Sequence, residues 1–229
     1  MTMVRNMALS AVTLALICSP ALAEDSLPPS SLEPCTDPPY HNCFGTWSTA
    51  EGVTYTGEWQ DGTMNGNGAF VSAEVGWRYV GAFKDGSFHG QGSFFYTDGR
   101  RYDGEFQDGE QHGQGTMISP DGDSYVGGWQ EGKLHGQGTR HYANGDMYDG
   151  AWLNDNPSGQ GTLIYADGTR YDGEWLNGLM HGYGKIVYAD GSWYEGEWQN
   201  HMMHGWGTLV YADGSSDTGE FRNDEFIGP

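Results

Sequence analysis

Basic side chains are scarce in this 229-residue chain: ten Lys and Arg stand against 31 Asp and Glu, for a formal net charge of -21. A nucleic-acid binder needs a basic patch to displace condensed counterions, and this composition supplies none. Attraction to anionic lipid headgroups meets the same objection, so membrane contact is disfavoured. Long apolar runs are also missing. The most apolar stretch, Met7 to Cys18, is about a dozen residues, whereas a bilayer-spanning helix needs roughly 20. Catalytic signatures are absent: there is no P-loop lysine, no GxSxG and no HExxH. No catalytic, cofactor-binding or metal-ligating residue is assigned. Helix formers thin out beyond residue 23, and cysteine is limited to three residues.

The first 23 residues read as a secretory signal. Arg5 supplies the positive start, Met7 to Cys18 the apolar run, and Ala21-Leu22-Ala23 an A-x-A cleavage site ahead of Glu24. A membrane anchor is the competing reading, against which the length of the run counts. Bulky Ile17 argues against lipidation of Cys18. Cleavage removes Arg5 and moves the charge from -21 to -22. The expected location is periplasmic or secreted. Residues 24–43 form a Pro/Ser-rich linker that holds the two remaining cysteines, Cys35 and Cys43. In an oxidising compartment such a pair is expected to be a disulfide. The alternatives need either further metal ligands, of which only His41 is near, or an activating base.

What the chain does have is glycine, 38 residues, and aromatics at 14%. They recur with a period. Tyrosines open successive units at Tyr55, Tyr79, Tyr102, Tyr125, Tyr148, Tyr171 and Tyr194, spaced first by 24 and then by 23 residues. A fixed period of that length marks a repeat array. Two positions after each tyrosine stands a glycine, and four positions after it an aromatic. Residues two apart share a face of a strand, so these three line one face, with the glycine leaving room for the rings. Asp61-Gly62, Asp85-Gly86, Asp108-Gly109 and Asn177-Gly178 then read as hairpin turns, followed by an HGxG motif and a second strand. A second turn at Asp98-Gly99, Asp121-Gly122, Asp167-Gly168, Asp190-Gly191 or Asp213-Gly214 closes the unit. The expected fold is all-β: an elongated antiparallel β-meander over residues 44–229, with seven full hairpin repeats and partial end units. Its core comprises Tyr79, Phe83, Tyr102, Phe106, Tyr125, Trp129, Tyr148, Trp152, Tyr171, Trp175, Tyr194 and Trp198.

The pattern Y-x-G-x-W-x-x-G-x-x-H-G-x-G-x-x-x-Y-x-D-G resembles the MORN (membrane occupation and recognition nexus) repeat over about Gly45 to Gly228. The resemblance implies an elongated β-meander. It also links the chain to a family associated with membrane attachment, phosphoinositide binding, scaffolding and dimer formation. Relatives also accompany lipid kinase and protein methyltransferase domains, and none is expected here once the repeats are counted. Departures are Asn65 in place of histidine in the first repeat and Asp155-Asn156-Pro157-Ser158 in the fifth. His201 replaces the turn glycine in the seventh, and Asp217 and Ile227 mark the last, partial unit.

Three sets of side chains invite a functional reading. The histidines His89, His112, His135, His181 and His204 recur one hairpin apart, about 10 Å, which is too far to share a metal. Each imidazole is expected to bond a turn. The Asp121-Gly122-Asp123 stretch hints at calcium but lacks the further acids of a calcium loop. Glu105, Glu174 and Glu197 recur at one position, as a solvated face or as an acidic strip for a basic partner. Trp77, Trp193 and Trp206 fall outside the tyrosine–tryptophan rows and complete the candidate binding surface. The function expected is a non-enzymatic exported scaffold for protein partners. The alternatives are a peripheral phospholipid-binding module and an envelope-glycan binder. Self-association is open to a meander, whose ends leave strand edges.

Overall fold

The computed structural model describes residues 27–38 and 40–229. The expected signal peptide, residues 1–23, lies outside the described residues. From the N-terminal end the strands are β1 (Cys43–Ser48), β2 (Val53–Gln60), β3 (Thr63–Ser72), β4 (Trp77–Lys84), β5 (Ser87–Phe95), β6 (Arg101–Gln107), β7 (Glu110–Ile118) and β8 (Ser124–Gln130). They continue as β9 (Lys133–His141), β10 (Met147–Leu153), β11 (Asn156–Ile164), β12 (Arg170–Leu176), β13 (Leu179–Val187), β14 (Trp193–Gln199), β15 (Met202–Val210), β16 (Ser216–Arg222) and β17 (Glu225–Gly228). Each pairs antiparallel with its sequence neighbours, so the whole is one meander.

The register puts one glycine from each of β1 to β16 side by side, from Gly45 and Gly57 through Gly173 and Gly184 to Gly207 and Gly219. A bare strip of backbone therefore crosses the sheet. Each repeat tyrosine lies down on it: a Cβ at Gly173 would meet the Tyr171 hydroxyl at 2.5 Å and the Gly184 Cα at 2.6 Å. The phenol then donates to the backbone carbonyl three residues on, at 2.8–3.1 Å in all seven repeats. That bond satisfies a hydroxyl that burial would otherwise orphan.

On the same face the rings interlock. Each repeat tyrosine meets the aromatic four residues ahead and the corresponding aromatic of the next hairpin. The centroids are 5.0–5.5 Å apart and the planes 75–89° to one another. Edge-to-face is the arrangement that ring quadrupoles prefer. Trp59, Trp129, Trp152, Trp175 and Trp198 also donate Nε1–H to the strip glycine of the preceding strand, at 3.0–3.2 Å. Tyr40 abuts Trp59 at one end and Phe226 abuts Phe221 at the other. The Cys35–Cys43 disulfide forms as expected, and Cys35 packs over Gly45, where later repeats place a tyrosine.

Burial pushes the phenol of Tyr125 up to about 12 and that of Tyr194 likewise to about 12. It raises Tyr55, Tyr79, Tyr102, Tyr148 and Tyr171 in the same direction. A proton held more tightly in the folded state than in the unfolded one gives stability that is complete below the unfolded phenol value of about 10. That stability is lost as pH climbs through the folded values near 12. The sheet is therefore expected to hold up to pH of about 10 and then unfold together with tyrosinate formation. Circular dichroism and tyrosinate absorbance followed in one alkaline titration check this. Tyrosinate absorbance rising fully while the sheet signal persists would contradict it.

Candidate interaction surface

The two Asp-Gly turns of a repeat differ. At the two-residue hairpin loops both residues are left-handed, as at Asp61 (φ 49°) and Gly62 (φ 77°). This is the primed turn that matches strand twist. Where glycine is missing the chain still takes that shape, at Asn154-Asp155 and Asn200-His201. The intruding side chains then earn a compensating bond. Asp155 Oδ1 accepts the Leu134 N–H at 2.9 Å, and His201 Nδ1 accepts the Met180 N–H at 3.3 Å. The irregular fifth and seventh repeats thus tie their turns to the hairpin before. At the second kind of turn only glycine is left-handed, as at Gly191 (φ 87°), and Asp190 accepts the Ser192 N–H at 2.9 Å.

The glutamates are less free than a purely solvated stripe would be. Beyond the glycine strip the hairpins carry a bulge, where the HGxG motif places a left-handed glycine such as Gly182 (φ 63°). Its neighbour's N–H points to the facing strand, and the recurring glutamate accepts it. The Gln114 N–H reaches Glu105 and the Tyr183 N–H reaches Glu174, each at 3.2 Å, and the Trp206 N–H reaches Glu197 at 3.0 Å. These carboxylates therefore serve structure while remaining at the surface.

The histidine row departs from expectation. Nδ1 of His89, His135, His181 and His204 is enclosed without a hydrogen-bond partner, and the nearest acid to His89, Asp108, stands at 3.9 Å. Asp108 belongs to a hairpin turn, but 3.9 Å is too long for the expected hydrogen bond. Asp121 and Asp123 are occupied: Asp121 accepts the Asp123 N–H, and Arg140 grips the Asp123 carboxylate at 3.0–3.2 Å. No group of three or more His, Cys, Asp and Glu suited to a metal occurs among the described residues. No helix of the described residues is long and apolar enough to cross a membrane.

The three tryptophans outside the rows separate. Trp77 lies on the ring face, stacked between Phe70 and Phe94 at 5.4 and 5.2 Å, so it belongs with the core. It stands two residues before Tyr79, and that even spacing already puts it on the tyrosine face. Trp193 and Trp206 lie on the opposite face. Trp193 carries the Lys185 ammonium 4.2 Å above its ring, and Trp206 is 59% exposed. Sequence reasoning missed Tyr183, the counterpart of Trp206 one repeat earlier, which is 54% exposed on that same face. Its signal was available: the x of the repeated GxG is Gln in four repeats and aromatic only at Tyr183 and Trp206. A shallow cleft of about 550 Å³ opens on the ring face beside Tyr142, Tyr148, Trp175 and His201. Burial lowers the His201 pKa there.

Among solved structures the chain is similar to the TCP10 domain of Danio rerio CPAP, with 14% identity over 73% of this chain and 78% of that one and a TM-score of 0.39. It is also similar to the TCP domain of Drosophila melanogaster SAS-4, with 12% identity over 84% of this chain and 97% of that one, again at a TM-score of 0.39. Similarity at this level carries no argument about what the chain does. No curated protein matches it. The MORN repeat model matches residues 55–74, 79–100, 102–124, 125–147, 148–170, 171–193 and 194–216. With the strip, the rings and seven matched units in agreement, the chain belongs to the MORN repeat family.

Proposed function

We propose that the protein is a non-catalytic exported scaffold that binds protein partners on the sheet face opposite its rings. The observation that carries this reading is the division of labour between faces. The buried tyrosines, tryptophans and phenylalanines lie on one side. The other presents the same positions hairpin after hairpin, with polar and acidic side chains such as Thr139, Asp149, Thr162 and Asp172. A surface repeated at strand spacing suits an extended partner. The negative charge favours a basic partner and solubility in an aqueous compartment. The disulfide is consistent with an oxidising location.

Photo-crosslinkers placed at Gln114 and Gln160 on the outer face, and at Tyr165 on the ring face, test it in the producing cell. Capture of one partner from the outer positions alone is expected, together with an exported chain that starts at Glu24. Capture from the ring face only, a retained leader, or turnover of a substrate by the purified chain would overturn the reading.

A further inference from the structure

On the outer face, five consecutive strands contribute one residue each to a row that alternates acid and ring: Glu174 on β12, Tyr183 on β13, Glu197 on β14, Trp206 on β15 and Glu220 on β16. Pairing and hydrogen bonds fix the order. Glu174 accepts the Tyr183 N–H, Tyr183 pairs with Glu197, Glu197 accepts the Trp206 N–H, and Trp206 pairs with Glu220. Both rings are more than half exposed. Earlier repeats place Gln91, Gln114, Gln137 and Gln160 where these rings stand, so the alternation is confined to this end of the sheet.

We propose that this row is a docking site for an extended, basic segment of a partner protein, with arginine side chains on the Tyr183 and Trp206 rings and the glutamates beside them. The inference rests on the scaffold reading and names its contact site. Charge complementarity selects the occupant: a cation over a ring flanked by carboxylates is attracted by both. The molecule already makes this arrangement with its own side chain one row away, where Lys185 sits over Trp193 and pairs with Glu195 at 2.8 Å. Arg222 pairs with Glu220 at 2.9 Å, leaving Glu174 and Glu197 as the main anionic flanks.

Spacing refines the proposal. The rings are two strands apart, about 9.6 Å. In the threefold extended helix favoured by unfolded chains, three residues advance about 9.3 Å and return to the same side. Arginines at every third residue therefore match the two rings. Arginine is preferred over lysine because its planar guanidinium stacks on rings.

Calorimetric titration of the full mature chain with a peptide carrying three arginines, each separated by two serines, tests the site. Saturable, salt-sensitive binding is expected, weakened at least tenfold by Trp206→Ala or Tyr183→Ala and untouched by Gln114→Ala. Glu197→Gln keeps an acceptor for the Trp206 N–H while removing the charge, and is expected to weaken binding several-fold. Unchanged urea midpoints would show that these variants still fold. No binding, equal binding by Trp206→Ala, or equal binding of a peptide with adjacent arginines would overturn the proposal. A partner captured at Gln114 or Gln160 while the peptide fails would leave the scaffold standing and remove only this site.

Discussion

Replacing Gly173 with valine is expected to lower the urea midpoint sharply, with a loss of about 3 kcal/mol, the upper end of the usual range for forcing extra bulk into a packed core. Gly173 has no left-handed φ to protect, so the whole effect comes from the space above it. A Cβ there would sit 2.5 Å from the Tyr171 hydroxyl and 2.6 Å from the Gly184 Cα. Neither neighbour can withdraw easily. The Gly184 backbone is fixed by pairing on both sides, and the Tyr171 ring is wedged between Trp175 and Trp198 at 5.3 Å each. Gly191→Ala supplies the contrast. That glycine has φ 87° with nothing within 4 Å of an added Cβ. Its cost is backbone strain alone, about 1–2 kcal/mol. If the two variants melted alike, the glycine strip would not be the seat of the rings.

Trp175→Ala is the second large effect, about 3–5 kcal/mol for truncating a buried large ring. The side chain is 5% exposed, edge-on to Tyr148 at 5.2 Å and Tyr171 at 5.3 Å, and bonded to the Gly161 carbonyl at 3.1 Å. Trp175→Phe separates these contributions. Phe83, Phe106 and Phe221 fill the same position elsewhere and are equally buried, so the ring stack survives and only the Nε1–H bond is lost. A deficit of about 1 kcal/mol is expected for that bond. Because each hairpin leans mainly on its neighbours, amide exchange should quicken most in β10 to β13 for the alanine variant. Uniform acceleration along all strands would mean that the array behaves as one cooperative block. An unchanged midpoint would mean that the ring is not part of the core at all.

Much of this architecture could be read from spacing. Tyrosine, glycine and an aromatic at even offsets place the buried face, and the same arithmetic assigns Trp77 to it and Trp193 to the other side. The exposed pair Tyr183 and Trp206 was also legible, as aromatics at a position held by Gln in four other repeats. The histidine row was not. Histidine residues at equal intervals say nothing about which ring nitrogen is enclosed, and Nδ1 of His89, His135, His181 and His204 finds no hydrogen-bond partner.

By itself the sequence determined the period, the strand faces, the core rings and the charge. Each of these follows from local alternation and composition, which do not depend on what lies across the sheet. Tertiary structure decided what similar residues do. Asp61 and Asp190 both precede glycine, yet only Asp61 is left-handed, because the length of loop the paired strands leave to be closed selects the turn. Glu174 and Glu197 become caps of a bulge because an N–H of the facing strand is turned toward them. The acid–ring row exists because pairing lines up residues 23 apart in sequence, Tyr183 and Trp206, with Glu197 on the strand between them.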